Sequence, residues 1–301
     1  MIDRTWRVRT RGVDPAVPTV VQPDEELGQD GAMALDLGLV YLQHLTGHDR
    51  QLLAEAGVSE TGPVVDLLGE ARTQDVVFGP RRAGEPFLQP SPFLTFAVAV
   101  HRAAAELSVA TFTEEWVGPR RRVAVFDVDV LRAFVGDPLR RLFLIELLAS
   151  YTHVARRFDD LDPVRLAGML EVVAEEERPG VYRRLGDLAL FLTGVFPDHT
   201  AAHGLAPVGR NGLLRSGQAG DDANESDGDL PAALDRLGAV GTLELLGRRW
   251  YQLAASTVPG PPTSTMQAVD DVAQHFRTAR RILNYVTEQF LFPSRTQWFG
   301  V

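Results

Sequence analysis

The chain contains no cysteine and no lysine. Without thiols it can form neither disulfides nor thiolate zinc sites, iron–sulfur clusters or cysteine nucleophiles. Without lysine it supplies no P-loop lysine, no pyridoxal Schiff base and no protein-kinase phosphate-binding lysine. No apolar run reaches the roughly 20 residues that cross a bilayer, and the opening MIDRTWRVRT has no hydrophobic leader core. The lack of a leader core and of a spanning run predicts a soluble, cytoplasmic protein with no membrane contact. Positive charge is the scarcer sign, 30 basic against 40 acidic residues, and the net charge of −10 repels nucleic acid in bulk. Neither G-x-S-x-G nor G-x-G-x-x-G occurs.

What is present is a helical protein. At 301 residues the chain can bury a large core. The stretch Pro138–Phe158 is apolar on nearly every side between Leu142 and Ala149, with Glu146 its one charge there. A helix apolar all round sits inside a fold, so the sequence predicts a mainly α, multi-helix bundle around a buried central helix at 138–158. Ser91-Pro92, Asp137-Pro138 and Asp162-Pro163 are helix starts, each a capping side chain followed by proline at the first helical position. One small β-hairpin is expected near 109–127, where Phe112, Glu114 and Trp116 alternate, Gly118-Pro119 punctuates and valines follow.

Four segments result. Residues 1–30, with Arg4, Arg7, Arg9 and Arg11 ahead of Asp24–Glu26, read as an extended arm. A helical core containing the hairpin spans 31–203. Residues 204–230, rich in Gly, Asp, Asn and Ser, read as a disordered acidic loop with one apolar pair, Leu213-Leu214. A C-terminal hairpin of two long helices, 231–256 and 265–291, packs on the core and completes the segment 231–301. Arginine doublets such as Arg140-Arg141 and Arg280-Arg281 are expected on solvated helix faces. The C-terminal hairpin carries more apolar side chains than one antiparallel contact covers: Trp250, Tyr251, Phe276, Ile282, Leu283, Tyr285, Phe290 and Phe292, with Trp298 and Phe299 beyond. A homodimer through this hairpin is the expectation.

Candidate chemistry is thin, and each candidate has a structural reading beside it. His44 and His48, and His199 and His203, are spaced i,i+4, with Asp49 and Asp198 adjacent. On one helix face such a pair can hold zinc or iron, but Gly47 interrupts the first pair and Pro197 precedes the second. His153 could act as a base on the central helix, or be a hydrogen-bonded core residue. Glu146 would have a raised pKa if unpaired, and is expected to pair with an arginine of a neighbouring helix. FDDLDP, with Asp159, Asp160 and Asp162, resembles the aspartate-rich Mg²⁺-diphosphate motif of isoprenoid synthases. That family spaces its aspartates DDxxD, whereas here the spacing is DDxD, and Asp162 already serves as an N-cap.

Two further resemblances concern architecture. LLGRRWYQLAAS at 245–256 followed by AVDDVAQHFRTARRIL at 268–283 resembles a tetratricopeptide-type helical hairpin, without a second copy at a 34-residue period. The lysine-free composition, as from a high-GC bacterium, and helices such as GDLALFLTGVFPDH resemble uncharacterised helical proteins of actinobacterial type; that resemblance implies no activity. The expectation is a helical interaction or regulatory protein without catalytic activity or cofactor, whose partner is a protein, itself or another. The alternative is a metal- or carboxylate-dependent all-helical enzyme using Asp159, Asp160 and the histidines.

Overall fold

A computed structural model describes residues 29–55, 64–79, 90–152, 161–203, 207–217, 230–256 and 264–291. The chain is mainly α, with one antiparallel β-hairpin. In order the elements are α1 Gln29–His44, α2 Gly47–Glu55, α3 Val64–Leu68, α4 Ala71–Phe78, α5 Pro92–Val109, β1 Thr113–Gly118, β2 Arg121–Val125, α6 Val128–Gly136 and α7 Pro138–Ser150. There follow α8 Pro163–Gly168, α9 Arg178–Val195, α10 Pro197–His203, α11 Pro207–Gly217, α12 Leu230–Ser256, α13 Ser264–Gln274, α14 Phe276–Val286 and a π-helical turn Thr287–Leu291.

The three expected helix starts are present. The Ser91 hydroxyl accepts the Leu94 N–H at 3.2 Å, Asp137 accepts those of Leu139 and Arg140 at 2.8 and 3.2 Å, and Asp162 accepts that of Val164 at 2.8 Å. Each cap satisfies donors that the first turn leaves without intrahelical acceptors.

The helix expected over 138–158 is α7, which ends at Ser150; residues 153–160 lie outside the described residues. α7 is buried along Leu142–Ile145 and at Leu147 and Leu148, but Glu146 points to a half-exposed edge. α9 is enclosed more fully, with every residue from Leu185 to Val195 buried. It packs against α12 and α14. Gly186 explains the close fit to α12: a Cβ there would lie 2.5 Å from the ring of Tyr251. Asp187 is buried within this helix, and Tyr251 donates its hydroxyl proton to Asp187 Oδ1 at 2.9 Å. Burial raises the Asp187 pKa, against the opposing pull of Arg183 and of that hydrogen bond. The side chain of Asn284 on α14 donates to the Thr193 carbonyl of α9 at 3.2 Å and also to that of Gly194.

The expected loop at 204–230 is corrected in part. Residues 207–217 form α11, with Leu213 fully buried. The indole N–H of Trp250 donates to the Ser216 hydroxyl at 3.1 Å. The Arg249 guanidinium donates to the Gly217 carbonyl at 3.2 Å, so a buried leucine and two polar anchors hold a segment whose composition alone suggested none. Residues 204–206 and 218–229, the arm up to residue 28, and Phe292, Trp298 and Phe299 lie outside the described residues.

The C-terminal helices also differ from expectation. The second is divided by a turn at His275, and α12 is broken at Gly238, whose φ of 64° and ψ of −178° belong to backbone that glycine alone adopts easily. Trp250, Tyr251, Phe276, Ile282 and Leu283 are buried in the protein's own core. These five side chains are therefore not themselves available to a second copy. Tyr285 and Phe290, also counted toward the expected dimer, are half-buried against the same core.

Candidate functional site

Among the described residues the sequence candidates do not converge on one site, although His44 meets Glu146. His44 ends α1 while His48 lies in α2, so the first pair spans two helices. His44 stacks on Phe93 with 4.5 Å between ring centres and lies 3.3 Å from Glu146, which thus pairs with a histidine rather than the expected arginine. Asp49 is a buried structural carboxylate, accepting from the Thr46 N–H and hydroxyl at 2.8 Å and from the Ser91 N–H at 2.7 Å. His199 and His203 do share one helix, α10, with rings stacked at 3.8 Å. Their neighbour Asp198 faces the hairpin instead, accepting from Trp116 Nε1 at 2.7 Å and from the Arg120 N–H at 3.1 Å. Burial opposes ionisation of Asp198, but the Trp116 and Arg120 hydrogen bonds and Arg122 outweigh it and lower the pKa. Among the described residues no three of His, Asp and Glu form a group that could hold a metal. Asp162 caps α8; Asp159, Asp160 and His153 lie outside the described residues.

The structure instead assembles a site that none of these candidates marks. A cleft of about 770 Å³ opens between the hairpin, α12 and the α13–α14 turn. One wall is β1, through Glu115, Trp116 and Val117. The opposite wall is α12, where the break at Gly238 and the positions Gly241, Glu244, Leu245 and Arg248 recur at helical spacing along one face. Phe276 and the buried Arg280 line it between these walls, with Arg277 at the exposed edge.

The hairpin is positioned here by charge. Its strands pair Thr113 with Val125 and Trp116 with Arg122, and its turn sets Arg120 at a φ of 57°, unusual for a side-chain-bearing residue. The hydrogen bond from the Arg120 N–H to Asp198 holds that turn. Arg122 donates to Glu288 just beyond α14. Glu115 is 6% exposed and faces three guanidinium groups of α14. Its Oε1 accepts from Arg277 Nε and Nη2 at 3.1 and 2.8 Å and from Arg280 Nη2 at 3.1 Å, and Arg281 Nε lies 3.6 Å from Oε2.

Arg280 and Arg281 are 4% and 6% exposed, whereas the Arg277 side chain is 65% exposed at the cleft mouth. Arg281 also forks onto Asp127 at 2.9 and 2.6 Å. Arg280 Nε lies 2.9 Å from Glu244 Oε2, yet off the hydrogen-bonding direction, so that contact is ionic only. Burial pulls the Arg280 pKa below the usual arginine range, with Glu244 and Glu115 pulling against it. For Arg277 the hydrogen bond that it donates to Glu115 outweighs burial and raises the pKa.

The doublet Arg280-Arg281 is therefore interior, contrary to the solvated face expected for it. A signal existed. Phe276, Ala279 and Leu283 form an apolar stripe, and Arg280 falls at i+4 from Phe276, inside that stripe. What the sequence could not supply was Glu115, 165 positions away, as the counter-charge. Chemically the cleft offers an apolar lining interrupted by fixed ion pairs, an arrangement suited to holding and orienting a ligand. No protein-family model matches the chain, and neither a curated protein nor a solved structure is found similar to it.

Proposed function

We propose that the protein works by binding rather than by catalysis, as a helical regulatory protein of the cytoplasm whose recognition site is the cleft between β1, α12 and α14. One observation carries this reading: three separately folded elements meet at a concave surface, and the wall formed by β1 is held mainly by charged side chains. A ligand there touches β1, α12 and α14 together, and so favours whichever packing of the hairpin it fits best. No helix among the described residues is long and apolar enough to cross a membrane, in keeping with that setting.

The test uses 1-anilinonaphthalene-8-sulfonate, an aromatic dye that fluoresces in apolar sites. Saturable binding of one dye per chain is expected, abolished by Ala201→Trp, which fills the cleft from α10. Phe126→Ser, at an exposed apolar position outside the cleft lining, should leave it unchanged. Dye binding that is absent, or indifferent to Ala201→Trp in a variant with native circular dichroism, refutes the proposal.

A further inference from the structure

We infer that the cleft selects a monocarboxylate with an apolar, preferably aromatic, body. This rests on the reading of the cleft as a binding site and names what enters it. The charges lining the cleft are Arg248, Arg277 and Arg280 against Glu115 and Glu244, or 3 − 2 = +1, in a chain whose net charge is −10. Not all three cations are used up internally. Arg280 is: it donates to Glu115 and Asn284 and lies against Glu244. Arg277 engages Glu115 through Nε and Nη2, leaving its Nη1 edge, and its side chain is mostly exposed. Arg248, one face of α12 away, has no hydrogen-bond or ion-pair partner among the described residues.

Two guanidinium groups with donors to spare on one cleft suit a planar carboxylate, which arginine binds in a fork. A single negative charge balances the lining. A dianion overshoots it and meets Glu115 and Glu244, so a phosphate ester is disfavoured. The restarted helix after Gly238 presents its first turn, Ala239–Gly241, to the same cleft, and its dipole adds to the attraction for an anion. Trp116, Val117, Pro119, Leu245 and Phe276 provide the apolar surface that a bare inorganic anion would leave unfilled. The volume falls in the range typical of small-molecule sites.

Displacement of the bound dye separates the possibilities. The competitors share one ring system: 2-naphthoate, 2-naphthalenemethanol and 2-naphthyl phosphate, at pH 8, where the phosphate is dianionic. The expected result is displacement by 2-naphthoate at a concentration at least tenfold lower than either of the others. Arg248→Gln, a surface change with no partner to disturb, should cut the advantage of the acid over the alcohol at least fivefold, with the alcohol unaffected. Arg277→Gln should do the same. Equal displacement by acid and alcohol, tighter binding of the phosphate ester, or an advantage that survives both variants overturns the inference while leaving the cleft a binding site. Failure of the dye to bind, or its indifference to Ala201→Trp, overturns the site itself, so the two failures are distinct.

Discussion

Glu115 is the residue on which the hairpin's attachment turns, and its removal has a calculable consequence. Arg277, Arg280 and Arg281 face Glu115, Asp127 and Glu244, so the cluster is neutral, 3 − 3 = 0, and its most buried members are Glu115, Arg280 and Arg281. Breaking a buried pair by deleting one partner costs about 3–5 kcal/mol, because a charge is left buried without compensation. Here Glu244 still faces Arg280 and Asp127 still holds Arg281, and Arg277 can turn to water, so Glu115→Ala should fall at about 3 kcal/mol, the low end of that range. For a chain of this size m in urea is about 3 kcal/mol/M, so the unfolding midpoint should drop by about 1 M with m unchanged. Circular dichroism during urea titration measures this, and hydrogen exchange should show residues 113–125 losing protection first. Asp129→Ala, which removes an exposed partner of Arg132, is the control and should change stability by no more than about 0.5 kcal/mol. Adding Arg280→Met to Glu115→Ala should restore part of the loss, since an apolar side chain suits the emptied position. A midpoint shift below about 0.2 M for Glu115→Ala would refute the view that this cluster holds the hairpin.

Two further outcomes follow from the core. His101 is buried, its ring 3.2 Å from the Tyr41 hydroxyl, and burial together with the Arg141 charge lowers its pKa to about 3. The unfolded chain takes up a proton near pH 6.5 and the folded chain does not, so stability is full above that pH and declines as pH falls toward 3, with about 2 kcal/mol lost at pH 5; thermal melts of the protein and of His101→Gln should diverge in pH slope, and parallel slopes would contradict this. Gly186→Ala drives a methyl group into the ring of Tyr251, which its bond to Asp187 fixes in place. Overpacking costs about 1–3 kcal/mol and improved helix propensity returns up to about 1, so a net loss of about 1–2 kcal/mol is expected in urea titrations, and a stabilised variant would show that the ring yields.

By itself the sequence determined the class of fold and three of the places where helices begin. Caps and following prolines act within a few residues of one another, so Ser91, Asp137 and Asp162 were legible without any tertiary partner. The hairpin was legible for the same reason: alternation and a Gly-Pro turn are local signals. Tertiary structure decided which helix lies at the centre, because enclosure depends on what surrounds a helix. The run 142–149 looked more apolar than α9, yet α9 is enclosed once Tyr251 satisfies Asp187. It also decided that Trp250 covers α11, that Trp250, Tyr251, Phe276, Ile282 and Leu283 lie in the core, and that Asp49 and Asp198 brace the chain rather than complete histidine sites. The cleft was illegible for a physical reason: its charges balance only across distant elements. Arg280 and Arg281 read as surface residues until Glu115 and Asp127 are brought from the hairpin region to neutralise them, and burial of a guanidinium is permitted only by such a partner.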